Sequence, residues 1–209
     1  IVHRDADPVA AARATAAAKF RNCGQVCISP SRFYVHESIR GRFQTAFTEV
    51  ARSLVVGDGL DGKTTTGPMI RARGLVAAEA LIRDAIDQGA TLLSGGRRPA
   101  HLNKGHFLEP TVLGDVPETA RIMREEPFAP IAPITGFNDV DDVIARANAV
   151  PFGLAGYVFS NDAALAQTTA TPATGYQAPI RVFPPSVPAR RRRNPGATAG
   201  GLAAASDSG

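Results

Sequence analysis

The chain has 209 residues, 44% hydrophobic and 20% charged, the balance of a globular protein long enough to bury a core. The net charge of +4 misdescribes most of it: residues 1–167 carry 18 basic and 18 acidic side chains, while residues 168–209 carry 5 Arg against 1 acid. No apolar run approaches the ~18 residues of a membrane span, and 2 cysteines exclude a disulfide scaffold and favour a reducing, cytoplasmic setting.

Ile1-Val2 reads as the end of a strand in a chain entered in midstream. Asp5 or Asp7 can cap a helix with Pro8 in its first turn, and the Ala-rich stretch from Val9 to Phe20 is helical on propensity. A polar loop, NCGQVC, follows, and Arg32 to His36 reads as a short strand. Ile39, Phe43, Phe47, Val50 and Leu54 recur at spacings of three and four, which predicts an amphipathic helix over 37–54. After the loop GDGLDGKTTTGP, Leu75, Ala78, Ile82 and Ile86 mark a second such helix, stopped by Gly89. Thr91 to Leu93 is a strand ended by Gly95-Gly96. Val140, Val143, Ile144 and Ala147 mark a third helix, capped by Asn138 or Asp139 with Pro151 beyond its end. Ala155 to Phe159 is another strand. Helices alternating with short apolar strands predict an α/β fold with a mostly parallel sheet flanked by helices.

After about Gln167 the pattern changes. Residues 168–209 hold 6 Pro and 5 Gly against 5 Ile, Leu, Val or Phe, and the helical periodicity stops. The expected organisation is one domain over 1–167 and a disordered tail over 168–209. A shift of reading frame near Gln167 would explain the break.

Cys27 is the first chemical candidate. It lies in a Gly- and Asn-containing loop whose backbone N–H groups could stabilise a thiolate or an oxyanion; a buried, inert cysteine is the competing reading. A metal pair with Cys23 has no second pair of ligands to support it, and the four histidines show no motif spacing. The segment EEPFAP, residues 125–130, is the second candidate. Adjacent carboxylates fit either a solvated surface or an acceptor for a ribose diol with Phe128 packed on the cofactor. No phosphate-loop pattern occurs.

Taken in order, these segments resemble the aldehyde dehydrogenases. Phe20 to Cys27 follows that family's F-x-N-x-G-Q-x-C signature, and Gly67-Pro68, Gly95-Gly96 and Glu109-Pro110-Thr111 follow in its order. Glu126 to Pro130 resembles its E-x-F-G-P segment, with Ala129 in place of Gly, and Asn148 with Phe152-Gly153-Leu154 resembles its N-x-x-x-F-G-L. Similarity around FRNCGQVC and GDGLDG is greatest to the succinate-semialdehyde dehydrogenase-like group. The resemblance implies oxidation of a small aldehyde to the acid with NAD or NADP. Cys27 would attack the carbonyl carbon to give a thiohemiacetal, its own backbone N–H would help hold the oxyanion, hydride would pass to the nicotinamide, and water would hydrolyse the resulting thioester. Glu126 would bind the nicotinamide-side ribose and Phe128 would help hold the ring. Cys23 would only pack, and Ala129 would press its Cβ toward the cofactor loop.

In the family, the dinucleotide-binding domain, the general-base Glu and the oxyanion Asn lie upstream of this segment. The family's C-terminal P-F-G-G-x-K-x-S-G, part of a region that lines the substrate entrance and supports homo-oligomers, is replaced by APIRVFPPSVPARRRRNPG. The expectation is a catalytic-domain piece, inactive alone, without nucleic-acid or membrane partners. The rival readings are a non-enzymatic module whose Arg190–Arg193 run binds acidic partners, and a cysteine hydrolase or acyltransferase with a histidine near Cys27.

Overall fold

The computed structural model describes residues 1–170 and the strand at 180–183. In chain order the elements are α1 (Pro8–Phe20), a 3-10 turn (Arg21–Gly24), β1 (Phe33–His36), α2 (Glu37–Ser53), α3 (Ala72–Asp87), β2 (Thr91–Ser94) and β3 (Thr111–Gly114). A second 3-10 turn (Arg121–Met123), β4 (Ile131–Phe137), α4 (Val140–Asn148), β5 (Gly156–Phe159), α5 (Ala163–Ala170) and β6 (Ile180–Phe183) follow.

One sheet runs in the order β1-β4-β3-β2 and a second pair joins β5 to β6. β1, β4 and β3 are mutually parallel, β5 and β6 are parallel, and β2 is an antiparallel edge. The opening residues splice the two sheets. Val2 N–H donates to Tyr34 O (2.8 Å) and His36 N–H to Val2 O (2.9 Å), while His3 N–H donates to Phe159 O (2.9 Å) and Phe159 N–H to Ile1 O (3.0 Å). Ile1–His3 therefore fills the place between β1 and β5.

Period-two alternation divides the strand side chains between two cores. Phe33, Val35, Val112, Ala132 and Ile134 face α1 and α2, where Phe47 meets the rings of Phe20 (5.7 Å) and Phe33 (5.0 Å). Tyr34, Leu113, Ile131 and Phe137 face the other way, against Leu75, Ala78, Leu81, Ile82 and Ala85 of α3 and Val143 of α4. The mostly parallel, helix-flanked sheet is thus present.

The caps follow from local chemistry. Asp7, not Asp5, caps α1: its Oδ1 accepts from Val9 N (2.9 Å) and Ala10 N (3.3 Å). Asp5 instead ties the first segment to the β5–α5 corner, its Oδ2 accepting from Ser160 Oγ (2.8 Å), Asn161 N (2.7 Å) and Asp162 N (2.9 Å). Asp139 caps α4 through Asp142 N (2.8 Å), and Gly89 (φ 105°) turns the chain after α3. β3 and β4 were not among the predicted strands. They are covered on both faces, so they carry no polar–apolar alternation to detect.

The boundary expected at 167 falls within α5. α5 runs on to Ala170, where Thr169 and Ala170 are buried, and Ile180–Phe183 forms a strand on β5. The remainder of the expected disordered tail, 171–179 and 184–209 with Arg190–Arg193, lies outside the described residues, as does the proposed shift of frame.

Candidate active site

Three loops meet at the N-terminal ends of neighbouring parallel strands: the segment before β1, the segment before β4 and the segment before β5. They enclose a cavity of about 700 Å³ whose walls include Cys27, Glu126, Phe128, Arg32, Phe152 and Tyr157. The topology thus brings together Cys27, Glu126 and Phe128, which the sequence places about a hundred residues apart.

The cysteine loop is built by a run of left-handed backbone. Asn22, Cys23 and Gly24 have φ of 48°, 59° and 71°, a reversal that favours Asn and Gly. Glycine is required at 24 for a second reason: a Cβ there would overlap the Ala129 carbonyl, lying 2.6 Å from its carbon. The bare backbone of the cysteine loop therefore rests directly on Ala129–Pro130, which locks the two motif segments together. Cys23 is buried, its Sγ–H donates to Gly67 O (3.1 Å), and burial pushes its thiol up to about 11. Gln25 Oε1 accepts from Ile70 N (3.0 Å). The Gly67–Ile70 segment thus buttresses the loop from outside.

Cys27 and Ile28 are the central residues of a turn closed by Ser29 N–H donating to Val26 O (2.9 Å). Cys27 is exposed and Cys23 buried, so the two cysteines divide between an open and a packed environment. The Cys27 N–H has no acceptor among the described residues.

The 125–130 segment alternates. Pro127 and Ala129 are buried, while Glu126 and Phe128 face the cavity. The adjacent carboxylates separate accordingly. Glu125 is the surface group, bound by both Nε (2.8 Å) and Nη2 (3.0 Å) of Arg121, which holds its carboxyl below the usual range. Glu126 is left to the cavity. Ala129 is buried in the same core cluster as Cys23.

Three further residues escaped the sequence reading: Arg32 and Tyr157, which line the cavity, and Lys19, buried at the end of α1. Lys19, in the last turn of α1, is 1% exposed, and burial pulls its ammonium down to about 7 against the opposing pull of the Glu126 charge. Its spacing with Ala12, Thr15 and Ala16 on the buried face of α1 is the one signal that marked it. Arg32 donates to the α4 carbonyls of Arg146 (3.2 Å) and Ala147 (2.8 Å) and to the Tyr34 hydroxyl (3.3 Å). Arg146 binds Glu118 (2.7 Å) and Gly136 O (3.1 Å), and both guanidinium groups lie over the Tyr34 ring, at 5.8 and 5.1 Å. Tyr157 reaches from β5 to donate to Ile28 O (2.6 Å).

A parallel-sheet α/β domain with a loop-borne exposed thiol, a carboxylate and an aromatic ring on the wall of one cavity has the layout of a catalytic domain. The model of the aldehyde dehydrogenase family matches residues 1–175, and the chain belongs to that family. It is 42% identical over 162 residues to the succinate-semialdehyde dehydrogenase [NADP(+)] of Escherichia coli, covering 78% of this chain and 33% of that protein. It is 40% identical over 162 residues to the glutarate-semialdehyde dehydrogenase of Pseudomonas putida, covering 78% and 33%. The solved succinate-semialdehyde dehydrogenase from Burkholderia pseudomallei superposes with a TM-score of 0.82 at 34% identity, covering 87% of this chain and 37% of that one. The chain spans about a third of the length of the curated relatives it matches.

Proposed function

We propose that this chain is the cysteine-bearing part of an NAD(P)-dependent enzyme that oxidises a small semialdehyde to the dicarboxylic acid. The observation that carries the reading is that Cys27, Glu126 and Phe128 face one cavity. The Cys27 thiolate attacks the aldehyde carbon, and the Cys27 N–H stabilises the alkoxide that forms. The residues present fit the nicotinamide half of a dinucleotide: Glu126 offers two acceptors to a ribose diol, and Phe128, 44% exposed, offers a face to a planar ring. When bound, that cofactor supplies the hydride acceptor.

The semialdehyde class rests on relatives named for succinate and glutarate semialdehydes. The setting is a reducing cytoplasm that keeps Cys27 a thiol, with neither nucleic acid nor membrane as partner. Among the described residues no helix is long and apolar enough to cross a membrane. The resemblance puts the base and the dinucleotide-binding domain outside this segment, so the isolated chain is proposed to lack sustained dehydrogenase turnover.

The test incubates the purified chain with NAD or NADP and succinate semialdehyde, and separately with a 4-nitrophenyl ester. The expected result is no sustained NAD(P)H and slow ester cleavage that disappears in Cys27→Ala. Ester cleavage that survives Cys27→Ala, or sustained NAD(P)H from the chain alone, would overturn the reading.

A further inference from the structure

We infer that Tyr157 is a positioning residue for the Cys27 turn, heading a hydrogen-bonded relay that ends at the Cys27 N–H. The inference rests on the reading of Cys27 as nucleophile. The Tyr157 hydroxyl donates to Ile28 O at 2.6 Å across 129 positions of sequence. That carbonyl belongs to the same peptide group as Ser29 N–H, which donates to Val26 O at 2.9 Å. The Val26 carbonyl belongs in turn to the same peptide group as the Cys27 N–H. The order is therefore phenol hydroxyl, Ile28–Ser29 peptide, Val26–Cys27 peptide.

Two consequences follow from this connectivity. The Ile28–Ser29 peptide is held at both ends, by Tyr157 at its oxygen and by Val26 at its nitrogen, so its plane cannot rotate without breaking one of the two bonds. Each bond also polarises the next, because a carbonyl that accepts makes the N–H of its own peptide a stronger donor. The last N–H in the series is the one proposed to meet the oxyanion, so the phenol strengthens that donor without touching substrate. The anchor is firm: β5 is tied through Phe159 to Ile1 and His3 and lies beside the central sheet. Ser29 adds a second tie, its Oγ donating to Lys19 O at the end of α1 (3.3 Å).

A purely structural tie and a positioning role separate in reactions that differ in their need for an oxyanion donor. Acyl transfer from 4-nitrophenyl acetate to Cys27 passes through a tetrahedral oxyanion; alkylation by iodoacetamide does not. In the 209-residue chain, Tyr157→Phe should slow acylation about tenfold, a fraction of the loss that follows complete removal of an oxyanion donor. Iodoacetamide alkylation of Cys27, located by peptide mass, should stay within about twofold, and the Ser29 amide should exchange hydrogen faster. Equal slowing of both reactions, or no change in either, would overturn the inference. Cys27→Ala must remove both labels. If wild-type Cys27 reacts with neither reagent, the nucleophile reading fails. Hydrogen exchange then decides the clamp separately: faster exchange at Ser29 in Tyr157→Phe upholds it, and unchanged exchange overturns it.

Discussion

Replacing Gly24 with Ala probes the contact that joins the two halves of the site. The residue sits at φ 71°, where a Cβ costs about 1 kcal/mol relative to glycine. The new methyl would also overlap the Ala129 carbonyl and stand 3.0 Å from Pro130 N, both backbone atoms that cannot rotate away. Relief requires the loop to part from a buried segment, an overpacking cost of about 1–3 kcal/mol. The expected total is about 2–4 kcal/mol, read as a lowered urea midpoint by circular dichroism. Gly62→Ala is the control, because a Cβ there meets nothing within 4 Å and φ is not positive. Its stability should change by less than about 0.5 kcal/mol. A loss below about 0.5 kcal/mol for Gly24→Ala would refute the claim that the cysteine loop rests on Ala129–Pro130.

Three other predictions concern charged or titratable side chains. Lys19→Met should stabilise the chain at pH 7 by about 1–3 kcal/mol, since a buried ammonium is exchanged for an apolar group of similar length. The wild type alone should gain stability as pH rises from about 7 toward 10.5, where the folded form has already shed the proton that the unfolded form keeps; a flat profile over that window contradicts the burial. His3, buried with its Nε2 2.9 Å from Thr169 Oγ1, is pulled from 6.5 down to about 4, chiefly by burial. The unfolded chain binds this proton first, so stability should fall as pH drops from about 6.5 to 4, by at most about 3 kcal/mol, and His3→Gln should flatten that slope. Arg32→Met should cost about 1–3 kcal/mol by stripping donors from the last carbonyls of α4. Hydrogen exchange should rise in residues 146–152 and not in α1; a uniform rise across the chain would refute the local role.

The amphipathic helices were legible because each keeps one wet face. α2 buries Ile39, Phe43 and Phe47 and exposes Arg42 and Glu49; α3 buries Leu75, Ala78 and Ile82 and exposes Arg73, Arg83 and Asp87. β3 and β4 were illegible for the opposite reason, since sheet neighbours and helices cover both their faces. At the site, motif order pointed to Cys27, Glu126 and Phe128. Which of the paired carboxylates turns inward depended on Arg121, which binds Glu125 and so leaves Glu126 facing the cavity. Tyr157 could not be read locally. It is an aromatic residue in a short apolar strand, and its importance arises only when folding sets its hydroxyl against Ile28.

The central claim is that this fold exposes one of its two cysteines as a nucleophile and buries the other. The direct measurement is the site of acylation after a single exposure of the folded chain to 4-nitrophenyl acetate, mapped by peptide mass spectrometry. The account predicts one acyl group per chain, on Cys27, with Cys23 unmodified until the chain is denatured. Acylation of Cys23 in the folded chain, or of neither cysteine, would contradict it.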